Sequence, residues 1–306
     1  MNDYHVPIML TEVITALRIK KGGIYLDGTL GGGGHTEAIL KQGGQVIATD
    51  KDGAAIEYAG ECLKEYGEKL TIIRNDFKNV EKILDGLGVD KLDGALLDLG
   101  ISSRQIDDAD RGFSYMQDAA LDMRMDRNQY LTAADIVNEY GQDRLAQLIR
   151  NYGEDGFAKK IASAIVRERA IEPIKTTGRL AQVIKSAVPV KFHFGSHPAK
   201  KTFQAIRIEV NGELEGLGGA VKTITDRLKS GGRFCVLTFH SLEDRIVKQT
   251  FKGMAEDCVC DKGLPVCVCG HKAAIRLSGK AQTASKDELE RNNRAASAKL
   301  RIIEKI

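Results

Sequence analysis

Between residues 24 and 100 the chain repeats one phrase: a short apolar run that ends on or beside an aspartate, followed by an amphipathic segment. The runs are 24–27, 45–50, 70–75 and 92–99, each bounded by Gly, Asp or Asn. Between them Ile56, Ala59 and Leu63, then Val80, Ile83, Leu84 and Leu87, fall at helical spacing on one face. Strands that are apolar throughout and alternate with amphipathic helices form a parallel sheet covered on both faces, with short right-handed crossovers. An open sheet of this kind binds its ligand outside the carboxyl ends of its strands. Asp27, Asp50, Asp76 and Asp98 stand there, so all four are expected to rim one crevice.

After Gly100 the rhythm stops. Residues 104–203 carry helical patterns instead, such as Phe157, Ile161, Ala164 and Ile165, then Leu180, Val183, Ile184 and Ala187, punctuated by Pro173 and Pro189. The α/β rhythm resumes with a helix ending near Lys229, a break at Gly231-Gly232, a strand at 233–239, a helix from Ser241 and a last strand at 299–304. The expected fold is therefore α/β. One Rossmann-like domain is built from residues 1–103 and 204–306, and a helical domain of residues 104–203 is inserted into it. The polar stretch 278–293 is expected to be a mobile loop.

The first strand leads into Asp27-Gly28-Thr29-Leu30-Gly31-Gly32-Gly33-Gly34-His35 and then a helix near Thr36. A phosphate-cradling P-loop needs Lys and then Ser or Thr after its last glycine, and here His35 and Thr36 follow. The dinucleotide fingerprint needs a third glycine where this chain has Thr36. No Lys or Arg lies between Gly28 and Leu40. A pyrophosphate among several carboxylates would cost on the order of 1 kcal/mol per pair even in water. A cationic ligand reverses that sign. S-adenosylmethionine carries a sulfonium and an ammonium, and its ribose hydroxyls need an acceptor such as Asp50. Phe77 could cover the adenine face, although an aromatic after a strand is as often core.

The net charge of +3 conceals a segregation. Residues 156–207 hold 11 Lys or Arg against Glu168 and Glu172, a local charge of +9 that leaves −6 for the rest. Such a segment suits a phosphate-binding surface, with a solvated helical face as the plain alternative. No apolar run approaches a membrane span and the first residues lack a signal-peptide pattern, so a cytoplasmic protein without a membrane partner is expected. Four of the six cysteines crowd into Cys258-Val259-Cys260 and Cys267-Val268-Cys269, followed by His271. The symmetry suits a zinc hairpin, but knuckles more often space their cysteines by two residues. Reduced surface thiols are the favoured reading, and no metal site is assigned.

The motifs taken together closely resemble the bacterial 16S ribosomal RNA cytosine-N4 methyltransferase family. They run nearly end to end: His5-Val6-Pro7, the glycine turn, Leu97-Asp98-Leu99-Gly100-Ile101-Ser102-Ser103, Asp110-Arg111-Gly112-Phe113-Ser114 and Leu121-Asp122-Met123-Arg124-Met125. They continue through His197-Pro198-Ala199, Thr202-Phe203-Gln204-Ala205-Ile206-Arg207 and Phe239-His240-Ser241-Leu242-Glu243-Asp244-Arg245. The resemblance implies a class I methyltransferase sheet with an inserted helical substrate domain, and S-adenosylmethionine as methyl donor. Its cofactor positions fall on Gly33, Gly34, His35, Asp50, Phe77, Asp98 and Gln105, the last known through the resemblance alone. The implied partner is 16S rRNA within the small ribosomal subunit; whether the chain also pairs as a homodimer is left open.

The cytosine amine is a poor nucleophile because its lone pair is delocalised into the ring, so acceptors must be aimed at its hydrogens. Many amino methyltransferases place Asp or Asn, two prolines and an aromatic after the fourth strand; this chain has Asp98-Leu99-Gly100-Ile101. Asp98 is the candidate catalytic residue, with a purely cofactor-binding role as its equal alternative. His240 is a second candidate, more often structural in such a place. The target base must leave its stack, which an insertion gripping flanking phosphates would offset. Lys159, Lys160, Arg167, Arg169, Lys200, Lys201 and Arg207 are the expected grips. Arg111 and Arg124 would reach closer in, with salt bridges to Asp110 or Asp122 as the alternative. A DNA amino methyltransferase and a non-catalytic rRNA-binding assembly factor are the rival functions.

Overall fold

A computed structural model describes residues 7–193, 195, 197–258, 260, 266 and 268–306. Two compact units are present, one of residues 1–100 with 216–306 and one of residues 101–215.

The first unit is an eight-stranded sheet. Its strands are β1 (Ile24–Asp27), β2 (Gln45–Asp50), β3 (Leu70–Arg74), β4 (Leu92–Asp98), β5 (Leu228–Thr238), β6 (Ile275–Leu277), β7 (Gln282–Thr283) and β8 (Lys299–Lys305). They lie in the order β3-β2-β1-β4-β5-β8-β6, with β7 also on β8. The first five pair in parallel, and β8 runs antiparallel to β5, β6 and β7. The chain leaves β1 toward β2 on one side and returns to β4 on the other, so the switch of winding direction falls between β1 and β4. This is a Rossmann-like, doubly wound sheet with an antiparallel edge.

Alternation along each strand divides the core. Tyr25, Val46, Ala48, Leu96, Cys235 and Leu237 pack with Val13, Ile39 and Ala59 on one face. Leu26, Ile47, Ala95, Leu97, Phe234 and Val236 pack with Leu84, Val221, Val247 and Phe251 on the other. Each fully buried large side chain is worth roughly 1.5–3 kcal/mol relative to exposure. Both faces are therefore anchored, and the strand ends are held rigidly.

The strand boundaries expected at β1 and β2 match, and those at β3, β4 and β8 differ by one residue. Two expectations fail in the later half. The helix before β5 stops at Asp226 and the strand starts at Leu228, so Gly231-Gly232 interrupts a strand rather than preceding one. Leu92 pairs with Leu228 and Gly94 with Arg233, and the extra residues bulge out at Gly231, whose φ is 78°. The stretch 278–293 carries β7 and a helix, Lys286–Arg291, rather than only loop. Ser285 caps that helix by accepting from the Glu288 amide, Ala284 and Leu289 pack on the core, and a Glu288 carboxylate oxygen accepts from the Met9 amide at 2.5 Å.

The second unit is helical. Its principal helices are Ala133–Glu139, Gln142–Gly153, Ala158–Arg169, Thr177–Ala187 and Lys200–Asn211. They close on a core that includes Ile136, Leu145, Ile149, Ile161, Ile165, Ile184 and Ile206. A boundary at 203/204 would cut the last helix, whose Phe203, Ile206 and Val210 are buried in this core. The helical unit therefore extends to residue 215.

Candidate active site

The turn after β1 is built on Asp27. This carboxylate is buried, and its two oxygens accept from the Thr29 amide at 3.1 Å and the Thr36 hydroxyl at 2.7 Å. It ties strand, turn and helix together and is a strut of the site rather than part of its rim, a correction to the four-carboxylate rim. Gly28 is required by close approach, since a Cβ there would meet Leu97 Cδ2 at 2.4 Å and Phe77 Cβ at 2.9 Å. Gly33 takes a φ of 80° and starts the helix Gly34–Lys41 without a side-chain cap. A Cβ on Gly34 would fall 2.3 Å from Pro7.

Asp50, at the end of β2, accepts from the Gly31 amide at 2.8 Å and the Asp52 amide at 2.9 Å, one at each oxygen. Each carboxylate oxygen has two lone-pair directions, so both retain acceptor capacity for a ligand. Asp76 accepts from the Lys78 amide and lies 3.6 Å from the Lys51 ammonium. Its charge is thus partly answered from within the chain.

Asp98, at the end of β4, differs from all of these. Its backbone amide donates to the Thr29 hydroxyl at 2.6 Å. Its Oδ2 lies 3.7 Å from His35 Nδ1, and its Oδ1 is buried with no hydrogen-bond partner. Burial pushes its carboxyl up to about 8, and the charges of Asp27 and Glu243 push the same way. Burial also raises Asp27 to about 6 and raises Asp50. Several acids held above their ordinary range, one with an orphaned oxygen, form a site that a cation completes and an anion would not.

His35 is buried, and its Nε2 donates to the Ile8 carbonyl at 3.1 Å, which points Nδ1 toward Asp98. Glu243, which sequence reasoning missed, is buried and accepts from the Phe239 and His240 amides. His240 caps the helix Ser241–Ala255, its Nδ1 accepting from the Glu243 amide while Nε2 lies 3.1 Å from the Glu243 carboxylate. The signal was legible as a capping-box spacing, His240 and Glu243 being three residues apart. Its structural duty is the reading the structure supports. Thr29 and Thr36, also missed, are the hydroxyls that hold Asp98 and Asp27 in place.

A profile of the MraW methylase family matches residues 2–306. A Ribosomal RNA small subunit methyltransferase H of Clostridium botulinum (strain Kyoto / Type A2) is 49% identical over 310 residues, covering the whole of both chains. Its counterpart in Clostridioides difficile (strain 630) is 49% identical over 311 residues, again covering 100% of both. That of Lachnospira eligens is 50% identical, covering 100% of this chain and 99% of its own. The chain belongs to the MraW methylase family.

The motif residues from Ile101 to Arg207 lie in the helical unit, and His5 and Val6 lie outside the described residues. Gln105 is buried in a capping box, where its side-chain oxygen accepts from the Ser102 amide at 3.0 Å. Three arginines expected at the substrate are committed elsewhere. Arg111 is buried and donates to the Arg124 and Met125 carbonyls at 3.0 and 2.8 Å. Arg124 forks onto Asp122 at 2.8 and 2.7 Å and gives its other nitrogen to the Arg127 and Gln129 carbonyls. Arg207 forks onto Glu213 at 2.9 and 2.8 Å. Arg169 donates to the Val137 carbonyl. These four bond within the unit, and Arg124 and Arg207 also have their charges answered there by Asp122 and Glu213. Lys159, Lys160, Arg167, Lys200 and Lys201 are exposed, and among the described residues the Lys201 ammonium donates to a carbonyl, that of Glu154 at 3.1 Å.

Proposed function

We propose that the chain transfers the methyl group of S-adenosylmethionine to the N4 amine of a cytidine in 16S rRNA of the small ribosomal subunit. The observation that carries the reading is Asp98: a partly buried carboxyl whose Oδ1 is enclosed and without a partner, at the end of β4, set among other acids and beside the glycine turn. The relatives' shared name supports ribosomal RNA as the class of substrate.

The cofactor supplies an electrophilic methyl group on a sulfonium. Gly33 and Gly34 let the backbone approach it, Asp50 offers its remaining lone pairs to ribose hydroxyls, and Phe77 covers the adenine. His35 orients Asp98, and Gln105 completes the set carried by the family motifs. Asp98 turns its free oxygen to the cytidine amine, and accepting a hydrogen bond there draws the lone pair out of the ring. The exposed lysines Lys200 and Lys201 hold phosphates beside a base that has left its stack. Arg111, Arg124 and Arg207 are not part of that grip.

Labelled methyl transfer is the test, with small subunits, naked rRNA and DNA as substrates, all prepared from a strain lacking this gene. Label on N4 of a 16S cytidine is expected. Transfer to DNA alone, or to nothing, overturns the reading.

A further inference from the structure

The segment between the helix Ser241–Ala255 and strand β6 is tied at its base, where the Ala274 amide donates to the Met254 carbonyl at 2.8 Å and the Ala273 amide to the Asp257 carboxylate at 3.3 Å. Among its described residues from Glu256 to Ala274 none is buried, and Val266 and Val268 are 71% and 76% exposed. A fold without a core needs another source of order, and natural small modules use disulfides or a metal.

Three cysteines converge there. The sulfurs of Cys258, Cys260 and Cys269 all lie within 4.8 Å of one another, those of Cys258 and Cys269 at 3.8 Å. Four sulfurs about 2.3 Å from a tetrahedral zinc would stand about 3.8 Å apart. Each sulfur also accepts a backbone amide: Cys258 from Cys260 at 3.4 Å, Cys260 from Val268 at 3.3 Å and Cys269 from His271 at 3.5 Å. Backbone amides aimed at the sulfurs are the outer hydrogen bonds that hold and orient metal ligands. Convergence and N–H···S donors are independent features, and together they outweigh the unusual one-residue spacing. Cys267 lies outside the described residues.

We propose that Cys258, Cys260 and Cys269 bind one structural zinc ion as thiolates, which ties Cys258 and Cys260 to Cys269 in place of an apolar core. Binding releases the thiol protons to solvent and changes no oxidation state. The site uses none of the carboxylates at the strand ends and stands whatever the methyl acceptor proves to be.

The full chain, purified without chelator or added metal, should retain one zinc per chain by elemental analysis. Replacing it with cobalt should give the thiolate charge-transfer band and intense visible bands of a tetrahedral sulfur site. C258S and C269S should lose the metal, while C62S, at an exposed cysteine elsewhere, should keep it. Stripping zinc from the wild-type chain with a chelator should leave S-adenosylmethionine binding within twofold and open 257–273 to protease, a readout independent of whether the variants fold. Metal-free protein that fails to take up zinc, an iron–sulfur spectrum, or a Cys258–Cys269 disulfide in protein kept under reducing conditions would each overturn the proposal.

Discussion

Asp98 in the sheet unit and Arg124 in the helical unit both sit in family motifs and both bear an ionisable group, yet the fold treats them in opposite ways. Arg124 finds a carboxylate and two carbonyls within its own unit. Asp98 is partly buried, with one enclosed oxygen unanswered and further acids nearby. A charge satisfied internally stabilises the chain; a charge left wanting costs stability and is kept for a ligand. The difference lies in the partners, which the residue types alone do not disclose.

The largest expected effect comes from removing the charge that is left wanting. Asp98→Asn keeps the shape but can neither balance a cation nor accept as strongly at the amine, so methyl transfer should fall by about 10²–10³-fold. The same change has a pH signature. Asp98 is raised to about 8 from an ordinary 3.8, so the folded chain holds this proton more tightly than the unfolded one. Without cofactor, the Asp98 contribution to stability is fully present below about pH 4 and is lost as pH rises toward 8, by at most about 1.4 kcal/mol per unit. Urea unfolding across that range should show the decline in wild type and a shallower one in the variant. Wild-type turnover in D98N would remove the residue from the chemistry, and identical pH slopes would show that its charge was already answered.

The next effect should be on stability and not on RNA. Arg124→Ala strands the Asp122 carboxylate and two carbonyls in a partly exposed place, a loss of about 1–3 kcal/mol. Arg207→Ala leaves the Glu213 side chain, only 7% exposed, without its partner, and should cost about 3 kcal/mol. Denaturant midpoints should fall in both, while RNA affinity of the folded fraction stays put. Weakened RNA binding at unchanged stability would break the comparison, because it would return these arginines to the substrate.

How much of this was legible in the sequence follows from which interactions are local. β1 and β2 could be placed to the residue because apolar runs and their bounding Gly and Asp are short-range signals. The bulge at Gly231 could not, because it depends on how Leu92 and Gly94 register against a strand more than 130 positions away. The polar stretch 278–293 looked like loop because Ala284 and Leu289 are its only apolar anchors, and they matter only once the core they meet has formed. At the site, the acidic strand ends were visible and their ranking was not. Asp27 proved to be a strut because it is 1% exposed and bonded to Thr29 and Thr36, and Asp98 stood apart because nothing takes its Oδ1. The internal partners of the arginines were hidden for the same reason: the Glu213 that pairs with Arg207 is recognised only after the chain has turned.

The smallest expected effect belongs to the charges that remain exposed. Lys200 and Lys201 open the helix Lys200–Asn211 on its solvent side, where the Lys201 contact with the Glu154 carbonyl leaves its positive charge unneutralised. If they neutralise phosphates, each removes about one counterion from the RNA on binding. Lys200→Ala and Lys201→Ala should therefore leave the denaturant midpoint unchanged and lower the slope of log affinity against log salt by about one each. Both variants should weaken binding evenly across RNA sequences, since a phosphate contact carries no base information. An unchanged salt slope in the double variant would place the phosphate grip elsewhere on the helical unit, with Lys159 and Lys160 the next pair to replace.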